Sequence, residues 1–485
     1  MKKTFYITTP IYYANDVPHI GHTGTTVFAD VVARYKRLQG FDVFSLTGTD
    51  EHGEKVALSA EKAGKEPQTF VDELALKWQD YWKQLNISND VFMRTTLPGH
   101  VKIAEELLEK LKAKGDVYED TYKGVYCVGC EEFKSERDLV DGKCPEHRPY
   151  QVQYREEKNY FFRISKYIPE VKKRLEDGTL PLIPENKKTE MLAKLAEPVK
   201  DTSISRQNVK WGIPIPWDKE QTTYVWVEAL MNYYSATRID WNDGVNREEF
   251  WPADVHFLGK GNNWFHSVIW PSLLLALDLP LPKNIFVHGY YNVEGKKMGK
   301  SLGNVISPQD LMDKYGIDGT RYLLCASMPY VGDSDVSFKW FDEKYNSALA
   351  NGYGNLVSRL SKLYRDVPEM VLEDSYFEFQ SNDASERVFG GHDNGSNYND
   401  AYNVYNLSEV TELFNRAVTN INSYLTTQEP WKKAGDEKIQ ILRFAIGQLL
   451  EVTHAISPVM PETAEKVFNL FKDKSASPLI LFARI

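Results

Sequence analysis

No stretch of this 485-residue chain approaches eighteen consecutive apolar residues, so no membrane-spanning helix is expected. Excess positive charge is missing too. The 68 acidic side chains outnumber the 58 basic ones, for a formal charge of −10. That excludes a protein that coats nucleic acid nonspecifically, but leaves room for a local basic footprint on RNA. Cysteine is scarce: only Cys127, Cys130, Cys144 and Cys325 occur, and the first three crowd together. Such crowding is not the framework of a secreted, disulfide-stapled domain. The start, Met1 to Ile7, has two lysines but no long apolar run before Pro10, so it reads as a first strand rather than a signal peptide. No internal repeat is visible. These absences lead us to expect a cytoplasmic protein.

What is present suffices for several cores. Apolar residues make up 42% of the chain, and its length suits two to four domains. Thr4 to Thr9 reads as a buried strand ending at Pro10. A glycine-containing turn at His19–Gly24 precedes a helix expected from about Thr25 to Leu38, with Gly40 at its C′ position. Asp42 to Gly48 reads as the second strand, and this strand–helix–strand order suggests a right-handed crossover. Amphipathic helices are expected near Thr69–Leu85 and His100–Lys114, the second carrying Leu107, Leu108 and Leu111 at helical spacing. The strand pattern returns at Tyr224–Val227, Val255–Gly259 and Ile285–Gly289. Beyond about Trp340 the chain reads as helical. Asn, Asp, Ser and Gly dominate 373–400, a long loop or insertion.

Two short motifs stand far apart on this frame. His19-Ile20-Gly21-His22 puts two imidazoles around a glycine at a strand-to-helix turn. Gly21 would let backbone approach a nucleotide, and a helix N-terminus favours its phosphates. The imidazoles could donate to oxygens that gain charge in a transition state. Lys297-Met298-Gly299-Lys300-Ser301 puts two lysines in a glycine-flanked loop suited to closing over phosphates. Alone, the first motif is more readily two ordinary turn histidines and the second a solvated turn. In this order, on a parallel α/β chain, they describe an ATP site.

A third pattern is Cys127-x2-Cys130-x13-Cys144-x2-His147. Two chelate pairs at knuckle spacing supply three thiolates and one imidazole, a closed tetrahedral set for one structural Zn²⁺. It leaves no open coordination position, so no catalysis is assigned to it. Cys325 lies on the apolar stretch Tyr322-Leu323-Leu324 and reads as a core thiol. Asp50-Glu51-His52 follows the second strand at its carboxyl end, where α/β folds bind ligands. Asp50 could pair a substrate ammonium, or be a plain loop acid. Trp226, Ala229, Tyr233 and Trp264-Phe265-His266 form an aromatic set that could equally be core packing.

Together these residues resemble the class I aminoacyl-tRNA synthetases, and most closely the methionyl-tRNA synthetase family. The resemblance covers nearly the whole chain. His19–His22 is similar to that family's HIGH signature. Lys297–Ser301 is similar to its KMSKS signature, with Gly299 where serine is usual. Thr9–Asn15, Ser203–Gln207 and Tyr224–Ala229 also look like the family. Gly261 is a second departure, because Asp usually follows Gly-Lys there, and an acidic contact could be missing or supplied elsewhere.

The resemblance implies a Rossmann-type doubly wound parallel sheet split by a zinc-bearing connective insertion, followed by an α-helical anticodon-binding domain. The implied divisions are 1–115 and 223–296 for the two catalytic halves and 116–222 for the insertion. The lysine loop and linking region span 297–350, and the helical domain 351–485. The implied reaction is activation of L-methionine by ATP with Mg²⁺, then transfer to the terminal ribose of tRNA(Met). His19, His22, Lys297 and Lys300 would be catalytic and, with Gly21, would bind ATP. Ile11, Tyr13, Asp50, Trp226, Ala229, Tyr233 and His266 would hold methionine, whose polarizable thioether packs well on aromatic rings. Asn355, Arg359, Pro430 and Trp431 would meet the anticodon, through stacking and base-edge hydrogen bonds. Trp431 could instead be a helix-packing residue.

Synthetases for isoleucine, valine or leucine share both signatures but usually carry a large editing insertion, for which 116–222 leaves little room. A cysteine-specific synthetase tends to place zinc at its substrate. A noncatalytic zinc-knuckle RNA-binding protein would not need His19, His22, Lys297 and Lys300. A redox protein would use the cysteine pair as a dithiol. The end at Ile485, without an appended tRNA-binding module, leads us to expect a monomer.

Overall fold

The computed structural model describes residues 2–127, 132–134, 139–145, 152–297, 305–379, 397–476 and 479–485. Its centre is a six-stranded parallel sheet. Across it run Val91–Arg94, Asp42–Asp50, Thr4–Tyr13, Val255–Gly259, Ile285–His288 and Leu182–Ile183. The first strand in the chain lies inside, with the next two in sequence on one side and Val255–Gly259 and Ile285–His288 on the other, which is a doubly wound order. Strands covered on both faces need continuous apolar or neutral runs rather than alternation. Asp42–Asp50 shows this, with every residue after Asp42 buried.

The first helix, Ile20–Leu38, begins five residues earlier than expected. His19 is its N-cap, in extended conformation, and His22 closes a reciprocal capping box with it. A histidine pair capping its own helix lies outside the usual Ser/Thr/Asp signals, so the sequence hid the boundary. Tyr224–Val227 is not a strand. Tyr224 is extended, but Val225–Ser235 is an eleven-residue helix. Burial of Val225, Val227, Leu230 and Met231 in an apolar core shared with Tyr6, Phe44 and Leu46 of the sheet overrides the β-preference of its valines and aromatics.

Between the two halves of the sheet lies an antiparallel hairpin, Val117–Cys127 against Val152–Phe162, extended by Glu132–Lys134 and Thr202–Ser203. The span 116–222 does more than insert: Leu182–Ile183 pairs with Ile285–Phe286 as the edge strand of the main sheet. The chain then turns helical. Pro308–Ser327, Phe338–Lys344, Asn355–Arg365, Leu407–Gln428, Gly435–Ile456 and Pro461–Lys472 pack around one apolar core shared with one face of the sheet. Of the 373–400 stretch, Asp374–Phe377 forms a 3-10 turn and Tyr398 opens a short helix. Residues 380–396 lie outside the described residues. Among the described residues, no helix is long and apolar enough to cross a membrane.

Candidate active site

A cleft of about 690 Å³ opens at the carboxyl ends of the central strands, the position where parallel α/β sheets bind ligands and the size of a small-molecule site. Its lining joins residues from both halves of the sheet: Ile11 and Tyr13, His19, Gly21 and His22, Asp50, Trp226, Gly261 and His288. Sequence positions more than two hundred residues apart therefore share one surface.

The two imidazoles are fixed by the helix they cap. His19 Nδ1 accepts from Gly21 N at 3.0 Å, and His22 Nδ1 accepts from His19 N at 3.4 Å. The rings stack with centroids 3.8 Å apart. A Cβ on Gly21 would sit 2.9 Å from the His19 ring, so only glycine fits beneath it. Because both Nδ1 atoms accept, each neutral ring carries its proton on Nε2, where it can donate outward. Burial holds the His19 imidazole down at about 4. Burial, then the charges of His19 and Lys55, holds His22 well below its ordinary value. At neutral pH both are hydrogen-bond donors without charge.

The amino-acid side of the cleft is aromatic. Tyr13 meets Trp226 edge-on at 5.8 Å, and Trp226 stacks on Phe265 at 3.9 Å. Asp50 ends the second strand and is buried beside them. Ala229, Tyr233 and His266 are buried as well, but stand outside the lining of the open cleft. The Tyr233 hydroxyl lies 2.6 Å from His266 Nε2, and His266 Nδ1 lies 2.9 Å from the Asn262 carbonyl. A carbonyl only accepts, so Nδ1 donates to it and Nε2 accepts from the tyrosine. His266 sits in a π-helical turn, Phe265–Ile269, a device that recurs at functional sites.

The sequence reading missed several residues here. His288 bridges Thr25 Oγ1 and the Gly289 carbonyl, each at 2.7 Å, and lines the cleft. Its location at the carboxyl end of Ile285–His288 was the available signal. Glu228 is fully buried, one oxygen 2.8 Å from His52 Nδ1 and the other 3.0 Å from His100 Nε2. Burial raises its pKa, but the two histidines outweigh that and hold it below the ordinary value. This clamp ties the Trp226 helix to the Asp50 strand. Gly261 is filled from outside, because a Cβ there would stand 2.1 Å from the Tyr290 hydroxyl. Neighbouring Lys260 pairs with Asp333 at 2.7 Å.

The lysine loop is only partly described. Lys296–Lys297 forms a short strand against Asn292–Val293, and Lys300 and the Lys297 side chain lie outside the described residues. Of the cysteine–histidine set, Cys127 and Cys144 are buried, while Cys130 and His147 lie outside. Among the described residues no three ligating side chains gather, as two ligands alone dictate. Cys325 is buried, and burial pushes its thiol up to about 12.

At the helical end, Pro430 is buried and Trp431 is 44% exposed. The Arg359 guanidinium lies 4.6 Å from the Trp431 ring. Asn355 stands one turn before Arg359 on the same helix and is exposed.

A split parallel sheet, a histidine-capped helix and an aromatic pocket at the strand ends define a nucleotide-dependent enzyme site. The family model for class I tRNA synthetases (M) matches residues 5–153 and 148–361. The chain belongs to the class I tRNA synthetases, within the methionine–tRNA ligase family. It is 42% identical over 479 residues to the methionine–tRNA ligase of Thermotoga maritima, covering 96% of this chain and 75% of that one. With the methionine–tRNA ligase of a Nostoc species it shares 38% over 478 residues, covering 96% and 90%. Among solved structures it is similar to Mycobacterium tuberculosis methionyl-tRNA synthetase in complex with methionyl-adenylate. The TM-score there is 0.87, with 33% identity over 96% of this chain and 93% of that one. The apo form of the same enzyme gives a TM-score of 0.77 at 29% identity, covering 97% and 92%.

Proposed function

We propose that this chain is a methionine-specific aminoacyl-tRNA ligase, acting in the cytoplasm. A methionine carboxylate oxygen attacks the α-phosphorus of ATP, the bond to the β-phosphate breaks, and pyrophosphate leaves. The 3′-terminal ribose hydroxyl of tRNA(Met) then attacks the carbonyl of the adenylate, AMP leaves, and the hydroxyl proton passes to solvent. One observation carries the reading: the paired imidazole donors and the aromatic pocket with Asp50 line a single cleft.

The protein's part in such a displacement is positioning and charge stabilisation rather than covalent chemistry. His19 and His22 offer Nε2–H donors to phosphate oxygens. Asp50 faces the substrate ammonium, and Tyr13 and Trp226 pack the thioether. Lys297 and Lys300 are assigned to the leaving pyrophosphate, and Mg²⁺ bound with ATP would neutralise part of its charge. Ile11 completes the pocket wall, while Ala229, Tyr233 and His266 back it. Cys127, Cys130, Cys144 and His147 would hold one Zn²⁺. Cysteines and a histidine at knuckle spacing suit that ion, two of them, Cys127 and Cys144, being buried, and its role would be to fix the hairpin. Asn355, Arg359, Pro430 and Trp431 are assigned to the anticodon.

ATP–pyrophosphate exchange, measured with each of the twenty amino acids, tests the reading. Methionine should support exchange far better than isoleucine, valine or leucine. Equal exchange with leucine would overturn it. Elemental analysis of the same preparation should find about one zinc per chain.

A further inference from the structure

The helix Glu54–Lys62 starts directly after the Asp50–Gly53 turn and sends two side chains, Lys55 and Ser59, into the cleft lining. Its first turn is held firmly. Arg155 of the hairpin grips Glu54 through two hydrogen bonds of 2.9 and 3.1 Å, and its guanidinium lies 4.1 Å from the Tyr126 ring. Gly53, at φ 99°, donates its N–H to the Trp211 carbonyl at 3.0 Å. Lys55 is half-buried, and its ammonium lies 4.9 Å from the Tyr13 ring centre. Tyr13 belongs to the aromatic pocket through Trp226, while the same ammonium acts electrostatically on His22. Lys55 therefore stands where the pocket and the phosphate end meet.

Charge gives that place a purpose. The reaction drives a carboxylate into a phosphate, two groups of like sign, and two acids, Asp16 and Asp50, also line the cleft. The imidazoles of His19, His22 and His288 are kept neutral by burial. Lys260 stands outside the lining and pairs with Asp333. Among the described lining residues, Lys55 is the one lysine or arginine.

We propose that Lys55 is a catalytic residue, whose ammonium holds the methionine carboxylate against the α-phosphate and offsets the charge that gathers as they join. The inference rests on the methionine–tRNA ligase reading of this cleft and adds to it a cation beyond the two assigned to the lysine loop. The competing reading is that the lysine stem merely covers the Tyr13 ring.

Two variants of the full chain separate them. Lys55→Met keeps the stem and removes the charge, and Lys55→Arg keeps a charge. Exchange kinetics and calorimetric binding are measured for both, using L-methionine and methioninol, which has a hydroxyl in place of the carboxylate. Lys55→Met should lower exchange kcat/KM by roughly a hundredfold, the scale for one preorganised charge contact. It should weaken methionine binding while leaving methioninol within about twofold, since that ligand lacks the group in question. Lys55→Arg should recover part of the rate. Near-parent exchange by Lys55→Met, or equal weakening of methionine and methioninol, overturns the proposal in favour of packing on Tyr13. A parent protein that binds methionine but exchanges no pyrophosphate with it overturns the functional reading itself.

Discussion

The sheet half and the helical end bury different kinds of side chain. Around the sheet, ionisable groups are inside the structure: Glu228 between His52 and His100, Glu51 with Arg94, and His256 and His266 near the aromatic pocket. At the helical end the core is Leu413, Phe414, Ile421, Leu442, Ile446 and Leu449, while Trp431 and Asn355 face outward. Burying polar groups costs free energy unless each is paired. The sheet half accepts that cost where chemistry needs fixed, water-poor donors. The helical end presents its polar groups on a scaffold that does not depend on them. Substitution should therefore disturb fold and function together in one region and function alone in the other.

The largest effect is expected where the regions meet. Arg321, fully buried, donates to the Val459, Pro458 and Leu85 carbonyls and to Asp30 Oδ2 at 2.6 Å. Asp30 lies on the helix that His19 caps, so this one side chain joins that helix to the turn before the last helix. Burial raises the Asp30 pKa, but Arg321, Arg34 and the two hydrogen bonds from Ser88 together outweigh this and hold it below its ordinary value. A depressed carboxyl contributes stability above its unfolded pKa of about 4 and loses it as pH falls below that. Asp30→Ala should cost about 3–5 kcal/mol at pH 7, as expected for leaving a buried cation unpaired. Urea unfolding measures it. A loss under about 1 kcal/mol would mean that water or neighbours re-pair Arg321, and that the two regions are less tightly joined than the contacts indicate.

Next comes a change confined to the sheet half. His22→Ala should raise the adenylation barrier by about 2–4 kcal/mol, the scale for one preorganised donor. Pyrophosphate exchange reports it, and methionine binding without ATP should barely change. The pH profile carries a sign as well. His19 titrates at about 4 and His22 lies well below its ordinary value, so both remain neutral as pH falls through the usual histidine range. Exchange should show no step near pH 6.5 that vanishes in His22→Ala. Such a step would mean that His22 is charged in the working enzyme. Near-parent exchange by the variant would remove it from the phosphate site.

Much of the sheet half was legible because its signals are local. Strands starting at Thr4 and Asp42, and a glycine between two histidines, announce themselves within a few residues. The end expected at Pro10 is wrong: the strand shifts register between Thr8 and Ile11 and runs on to Tyr13. The Glu228 clamp was not legible: its partners lie 176 and 128 residues away, and no period in the sequence joins them. The strand expected at Tyr224–Val227 failed because a buried helix can be as rich in valine and tryptophan as a strand. Lys55 was passed over because one lysine in a polar stretch reads as solvated, and only the turn after Asp50 brings it into the cleft. Leu182–Ile183 is two residues long, too short for any pattern, and joins the sheet through its partner.

The smallest effect should lie at the helical end, and it tests the comparison most directly. Trp431 is 44% exposed, on a short turn anchored by buried Pro430. The Arg359 guanidinium lies 4.6 Å from its ring, leaving a platform on which an unpaired base could stack. Base–aromatic stacking is worth about 1–3 kcal/mol per base. Trp431→Ala should therefore slow aminoacylation of tRNA(Met) roughly ten- to a hundredfold through that lost stack. Exchange without tRNA should stay near the parent rate, because adenylate formation does not use the anticodon. The melting temperature should change little, since an exposed ring supports few core contacts. If exchange and stability fall along with aminoacylation, Trp431 packs the helices and the surface is not a separable reader. If aminoacylation is untouched as well, the anticodon is read elsewhere, and the contrast between an embedded site and an exposed one no longer holds.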